Sequence, residues 1–143
     1  MTVSGILPRP PFDPELGPML EVIGQMVPPT LTAEMLPALR GGTLPGLPTP
    51  AEILESAQLQ SRDVTIAGYE GAEIVVSVIE AKGRTGTGPG IFHTHGGGMI
   101  MGDRFTAVEA FAEWIHRYNA VVVTVEYRLA PEFPDPYPVE DCY

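Results

Sequence analysis

Apolar residues in the first part of the chain recur at helical spacing between frequent prolines. An apolar stripe that repeats every three or four residues predicts the first helix. It consists of Leu16, Met19, Leu20, Ile23 and Val27. Pro14 or Pro18 suits the start of this helix, because proline is tolerated in the first turn, and Pro28 with Pro29 suits its end.

Two further short helices are predicted before residue 60. Thr32 is placed to cap the second, which would run to Gly41, although Pro37 argues against a regular helix there. Thr49, followed by proline, is a good cap for a third helix over residues 51–58. Residues 1–60 are therefore predicted to form a helical N-terminal region.

The apolar period changes from helical to alternating beyond residue 60. β-branched residues at 64–66 and 74–79, separated by Gly68 and Gly71, predict two antiparallel strands. Residues 83–90 are rich in glycine and predict a connector, after which residues 90–95 predict a short strand.

A strand, helix and strand are predicted to follow in that order. Thr106 and Glu109 match the S/T-x-x-E pattern of a capping box, so we expect a helix to begin there, with Asn119 as its left-handed stop. Residues 120–126 (AVVVTVE) are apolar on both faces, which is typical of a central parallel strand. The pattern predicts a βαβ unit and an α/β fold.

The charge and composition limit the classes of partner. The formal net charge is −10 and Lys82 is the only lysine, which argues against binding to nucleic acid. Cys142 is the only cysteine, so an internal disulfide is impossible. No apolar run approaches the roughly eighteen residues of a membrane span, and residues 1–11 lack the features of a secretory signal. We therefore expect a cytoplasmic protein.

The candidate chemistry lies at His95-Gly96-Gly97-Gly98, at the end of the predicted strand 90–95. Three successive glycines suit unusual dihedral angles or the close approach of a ligand to the backbone. The carboxyl ends of parallel strands are where open α/β sheets bind ligands. Exposed N–H groups of this loop are therefore candidates for stabilising a developing oxyanion.

Four sequence blocks together resemble one enzyme family. The blocks HTHGGG, VVVTVEY, YRLAPE and the closing PYPVEDCY are similar, in order and spacing, to those of α/β-hydrolase esterases of the hormone-sensitive lipase family, over about residues 90–143. The resemblance implies that residues 1–60 are a cap region and 61–143 the first part of the hydrolase core, an antiparallel strand pair followed by a parallel βαβ unit.

The resemblance also implies roles for single residues. The backbone N–H groups of Gly97 and Gly98 would be oxyanion-hole donors, and His95 would hold the loop in shape. Tyr127, Arg128 and Glu132 would brace the turn after the strand. The implied substrates are short to medium acyl esters, and neither a metal nor an organic cofactor is implied.

The sequence departs from the family where the nucleophile should lie. Its serines are Ser4, Ser56, Ser61 and Ser77, and none stands in a G-x-S-x-G elbow; no histidine follows His116. We therefore expect an N-terminal portion of the fold that supplies the oxyanion side of a site, lacks the triad and is inactive alone. A non-catalytic ligand-binding homologue, like the plant gibberellin receptors, and an inactive fragment remain as alternatives. Open strand edges are expected to promote self-association.

Other motifs favour structural roles. His93 and His95 lack further ligands nearby for a metal, and residues 86–90 resemble a phosphate loop only superficially, since no lysine or helix follows. Arg128 and Glu132 are expected to pair within their turn rather than to bind a substrate carboxylate. Asp141 precedes any nucleophile, so a structural role is expected for it. Cys142, which has no evident activating neighbour, is expected to be a buried or incidental thiol.

Overall fold

Helices occupy most of the described N-terminal region. The computed structural model describes residues 10–26, 30–41 and 48–143. The first helices are α1 (Gly17–Met26), α2 (Leu36–Gly41) and α3 (Pro50–Ser56). The chain divides into two compact units, residues 1–32 and residues 33–143, so that α1 lies in the first unit and α2 and α3 in the second.

The predicted start of the first helix agrees with the structure, whereas the second helix is α-helical only from Leu36. Helix α1 begins at Gly17, next to Pro18, while Val27, Pro28 and Pro29 lie outside the described residues. A 3-10 turn (Ala33–Met35) leads into α2, whose first turn contains Pro37 and so loses no internal hydrogen bond.

Helix α3 begins with a complete capping box. The Glu52 amide donates to the Thr49 hydroxyl at 3.3 Å, and the Glu52 carboxylate accepts from the Thr49 amide at 2.7 Å. The predicted cap is confirmed, and the helix ends at Ser56.

Four strands form one mixed sheet. They are β1 (Leu59–Ala67), β2 (Glu73–Ala81), β3 (Gly90–His93) and β4 (Val121–Glu126), in the spatial order β1-β2-β4-β3. β1 pairs with β2 antiparallel, β2 with β4 antiparallel, and β3 with β4 parallel. The predicted antiparallel pair and the parallel βαβ unit are confirmed, and β3 lies at the edge of the described sheet.

Apolar side chains cover both faces of the sheet. On one face a cluster of Ile79, Val122, Val108 and Ile115 joins the strands to the helix that follows β3. The other face carries a second cluster, made of Ile74, Val76, Val125 and Tyr127. β4 contributes to both clusters, which confirms its prediction as a central strand that is apolar on both faces.

The start of the crossover helix differs from the prediction. It opens as a 3-10 turn (Val108–Phe111) and becomes α-helical only as α4 (Ala112–Tyr118). The predicted capping box is wrong, because the Thr106 hydroxyl bonds to the Asp103 carboxylate at 3.3 Å and Ala107 adopts a left-handed φ of 63°. The predicted stop is confirmed, since Asn119 is left-handed with a φ of 52°.

The last element is the short helix α5 (Tyr137–Glu140). Within the described ranges no helix combines the length and the apolarity that a membrane crossing requires.

Candidate active site

The loop after β3 needs glycine for steric reasons. Gly97 has a φ of +124° and Gly98 a φ of +63°, which are backbone conformations that other residues rarely adopt. A Cβ atom on Gly97 would lie 2.0 Å from the carbonyl oxygen of Met101. Neither glycine amide donates to an acceptor among the described residues, so both N–H groups are available to a ligand.

His95 is the buried residue at the start of this loop. It is 4% exposed, and its carbonyl oxygen accepts a 2.7 Å hydrogen bond from the Tyr127 hydroxyl. Its ring stacks on the Tyr127 ring with centroids 4.1 Å apart and planes 11° apart. Because a carbonyl can only accept, His95 Nδ1 donates to the Gly96 oxygen, at 2.8 Å. This donation folds the ring back on its own loop.

The Nε2 atom of His95 faces the other way. It is buried and has no hydrogen-bond partner among the residues that the structure describes. Gly102 closes the loop beside this ring, since a Cβ atom there would lie 2.7 Å from His95 Nδ1. The described hydrogen bonds of His95 thus involve its carbonyl oxygen and Nδ1, not Nε2.

A second set of contacts ties the loop to the segment after β4. The Ala130 amide donates to the Met99 carbonyl at 2.9 Å. Arg40 of α2 donates from Nε to the Ile100 carbonyl at 2.7 Å and from a terminal nitrogen to the Ala130 carbonyl. Its other terminal nitrogen lies 2.8 Å from the Glu132 carboxylate. Sequence reasoning missed Arg40, because nothing in its local pattern points to partners 60 and 90 residues away.

A cavity of ≈ 370 Å³ borders the loop. Its lining combines residues of the loop with residues that follow β4 and belong to or adjoin α5. They are Thr94, His95, Gly96, Gly98, Met99, Tyr127, Pro138, Val139 and Cys142. A small organic ligand in this cavity would lie against the Gly98 backbone.

The comparisons with known proteins agree on one fold. The sequence model of the α/β hydrolase fold matches residues 91–143, which hold β3, the glycine loop, β4 and α5. Residues 91–143 therefore form part of an α/β-hydrolase fold. Carboxylesterase NlhH of Mycobacterium tuberculosis is 31% identical over 131 residues, which are 91% of this chain and 40% of that protein. Versiconal hemiacetal acetate esterase of Dothistroma septosporum is 38% identical over 79 residues, 55% of this chain and 24% of that protein.

A solved structure gives the same result. The hyperthermophilic esterase of Pyrobaculum calidifontis superimposes with a TM-score of 0.67 at 28% identity, over 92% of this chain and 41% of that one. The chain thus spans about 40% of the length of the first curated relatives that it matches.

The side-chain contacts of the segment after β4 differ from those that the sequence predicted. The expected pair of Arg128 and Glu132 is wrong, because Arg128 donates to both carboxylate oxygens of Asp141, at 2.7 and 2.8 Å, and Glu132 pairs with Arg40. The hydrogen bond from Arg40 holds the pKa of Glu132 below its ordinary value. Arg128 and Glu132 are therefore paired with residues outside their turn and not with each other.

Asp141 joins three parts of the chain. Its carboxylate accepts from the backbone amides of Tyr69, at 2.9 Å, and Arg128, at 3.1 Å, as well as from the Arg128 guanidinium. Burial alone would raise the pKa of Asp141, but the hydrogen bonds from Arg128 and from the Tyr69 amide outweigh burial and lower it. Both oxygens of the Asp141 carboxylate thus accept hydrogen bonds, which is consistent with the structural role expected for it.

Two other candidate groups have ordinary surroundings. Burial, followed by the nearby Asp141 carboxylate, raises the pKa of the Cys142 thiol, which favours the unreactive protonated form. The Thr124 hydroxyl donates to the Arg104 carbonyl, so His93 Nδ1 donates to Thr124 Oγ1, at 3.0 Å. No group of three or more metal-ligating side chains occurs within the described residues.

The described serines lie away from the cavity lining. Ser56 is on α3, Ser61 on β1 and Ser77 on β2. Ser77 is fully buried, and its hydroxyl donates to Asp63 at 2.6 Å. None of them lines the cavity beside Gly98.

Proposed function

We propose that this chain is part of a carboxylic-ester hydrolase of the serine type, in which the amides of Gly97 and Gly98 bind the oxyanion. One observation carries the proposal. These two N–H groups have no acceptor among the described residues, the φ of +124° at Gly97 favours glycine, and Gly98 lines the cavity. The similarity to a carboxylesterase and to an acetate esterase supports the same chemistry.

The reaction is acyl transfer. A base takes the proton of a serine hydroxyl as the serine oxygen adds to the ester carbonyl, and the carbonyl oxygen becomes an oxyanion in the tetrahedral intermediate. Two preorganised N–H groups stabilise that charge, and each such donor contributes about 2.7–4 kcal/mol to a transition state of this kind. When the carbonyl re-forms, the C–O bond to the leaving group breaks and the protonated base gives its proton to the departing alcohol. Water then adds to the acyl-serine by the same route, giving one proton to the base, which returns it to the serine oxygen as the acid is released.

The nucleophile, acid and base are assigned to polypeptide outside these 143 residues. None of the serines in this sequence lies between the glycines of a G-x-S-x-G elbow. We do not assign His95 as the base, because its Nε2, the nitrogen left to accept a proton, is buried and no described serine lines the cavity beside it. We assign His95 to shaping the loop.

We propose short to medium acyl esters as the substrate class. The cavity of ≈ 370 Å³ accommodates an acyl chain of a few carbons, and Met99 and Val139 give its wall an apolar lining. The acetate ester in the name of the Dothistroma septosporum relative supports the short end of this range.

The test compares Gly97→Ala with Gly90→Ala in the protein as its source cell makes it. An added Cβ at Gly97 would collide with the Met101 carbonyl, whereas nothing lies within 4 Å of a Cβ at Gly90. With p-nitrophenyl acetate and butyrate, we expect Gly97→Ala to lower kcat about 100-fold or more. Gly90→Ala is expected to retain wild-type kcat.

Two results would contradict the proposal. One is a wild-type protein that hydrolyses neither ester and is not labelled by a serine-directed fluorophosphonate. If it still bound an ester analogue, it would be a ligand-binding homologue. The other is a Gly97→Ala variant as active as Gly90→Ala, which would exclude the glycine amides from the oxyanion site.

A further inference from the structure

We propose that Arg40 is a positioning residue that aims the Gly98 amide of the oxyanion site. This inference rests on the proposed function for its catalytic consequence. Its structural part concerns how a side chain of α2 holds the glycine loop, and that part is testable without catalysis.

The Arg40 guanidinium bridges two segments. Its Nε donates to the Ile100 carbonyl at 2.7 Å, and a terminal nitrogen donates to the Ala130 carbonyl. Neither carbonyl accepts another hydrogen bond among the described residues. A planar fork of donors suits this bridge, because one guanidinium reaches two acceptors at fixed angles.

The bond to Ile100 is transmitted to Gly98 through two planar peptide units. The Ile100 carbonyl and the Met101 amide share one peptide plane, and the Met101 amide donates to the Gly97 carbonyl at 3.2 Å. The Gly97 carbonyl and the Gly98 amide share the next plane. Holding the Ile100 oxygen therefore fixes the direction of the Gly98 N–H.

The hydrogen bond from Arg40 to the Ala130 carbonyl keeps the turn of residues 97–101 from shifting as a unit. The turn is already joined to the segment after β4 by the Ala130 amide, which donates to the Met99 carbonyl at 2.9 Å. Arg40 adds a link on the Ala130 carbonyl, so both polar groups of that residue are engaged. The loop is thereby fastened to the end of β4, next to Tyr127 and the cavity.

The ion pair with Glu132 is the weaker part of the arrangement. The Glu132 side chain is 54% exposed, whereas the Arg40 side chain is 21% exposed. Exposed ion pairs contribute little, because water screens them. The two carbonyl bonds are therefore the contacts that position the loop, and this separates the effects of substitutions at the two residues.

The variants are Arg40→Leu, Arg40→Lys, Glu132→Gln and the control Arg117→Leu. Arg117 also pairs with a carboxylate, Glu113, but both side chains are largely exposed, at 65% and 74%, and Arg117 makes no hydrogen bond to the glycine loop among the described residues. Lysine keeps the charge of Arg40 but cannot bridge both carbonyls in one plane. Glutamine at 132 removes only the ion pair.

The first measurement is amide hydrogen exchange in the protein as its source cell makes it. We expect Arg40→Leu to accelerate exchange of the Met101 amide about tenfold, because a charge-assisted hydrogen bond no longer holds that peptide plane. Arg40→Lys should give a smaller acceleration, while Glu132→Gln and Arg117→Leu should match the wild type.

The second measurement is ester hydrolysis by the same variants. We expect Arg40→Leu to lower kcat about 10- to 100-fold, as a small misplacement of a catalytic group does, with KM within about twofold of the wild type. Arg40→Lys should recover part of kcat. A merely structural role would lower the amount of folded protein without this separation of kcat from KM.

The outcomes distinguish a failure of this inference from a failure of the proposed function. Unchanged Met101 exchange in Arg40→Leu, or equal effects of Glu132→Gln and Arg40→Leu, would overturn the inference. Faster exchange with an unchanged kcat would overturn its catalytic part. A wild-type protein without hydrolysis would overturn the proposed function, and the exchange data would still decide whether Arg40 holds the loop. If Arg40→Leu does not fold, Arg40→Lys provides the same comparison.

Discussion

Replacing Tyr127 with phenylalanine tests how His95 is held. The change removes one oxygen atom from a residue that is 5% exposed and leaves the stacked ring in place. The lost contact is the 2.7 Å hydrogen bond to the His95 carbonyl, which has no other donor among the described residues. Leaving a buried carbonyl without a partner costs about 1–3 kcal/mol, so we expect the free energy of unfolding to fall by that amount.

The assay is urea unfolding followed by the fluorescence of Trp114, the only tryptophan. The control is Tyr118→Phe, which removes a hydroxyl from a residue that is 52% exposed and makes no hydrogen bond from that hydroxyl within the described chain. We expect the control to lie within about 0.5 kcal/mol of the wild type. A Tyr127→Phe variant as stable as this control would refute the role assigned to the hydroxyl.

The same variant has a pH signature. Burial, followed by the charges of Cys142 and Glu126, raises the pKa of Tyr127 above its ordinary value of 10.0. A raised pKa means that the stabilisation is complete below pH 10.0 and is lost as the pH rises through the folded-state pKa. Wild-type stability should therefore fall more steeply in alkaline solution than that of Tyr127→Phe. Parallel curves above that pH would contradict this explanation.

Two further predictions concern other parts of the chain. Asp141→Asn should destabilise the protein at neutral pH. The ionised Asp141 carboxylate stabilises the wild type above its ordinary pKa of 3.8, and this stabilisation is lost as the pH falls through the lowered folded-state pKa. The variant should therefore lose less stability in acid than the wild type. Thermal melts from pH 2 to 7 check this, and an unchanged acid limb would contradict it. The isolated chain 1–143 should associate through the edge of β3, where Phe92 is 57% exposed. Sedimentation velocity decides this, and a monomer with a sharp two-state melt would refute it.

Much of the fold could be predicted from the sequence because its signals are local. The β-branched runs predicted an antiparallel pair, and the structure pairs Val64 with Val76 in β1 and β2. The apolar run at 121–126 predicted the central strand β4. Asn119 predicted the end of the crossover helix through its tolerance of a left-handed backbone. Each of these signals depends only on neighbouring residues.

The two wrong predictions arose where a side chain had more than one possible hydrogen-bond partner. The Thr106 pattern was compatible with a capping box, but the Asp103 carboxylate, three residues earlier, bonds to the Thr106 hydroxyl instead. The expected pair of Arg128 and Glu132 is similar, since Asp141 offers Arg128 two carboxylate oxygens in a more buried setting. The sequence alone does not rank such competing acceptors, because their burial depends on the fold.

The sequence by itself determined the order of helices and strands and the position of the glycine loop after β3. Backbone freedom is a local property of glycine, so three successive glycines were enough to predict unusual dihedral angles in this loop, and Gly97 has a φ of +124°. Only the tertiary structure decided what holds the loop. The sheet order brings Tyr127 beside His95, and the packing of α2 brings Arg40 to Ile100, 60 residues away. Side-chain partners at such separations follow from strand order and helix packing, and local sequence patterns do not specify them.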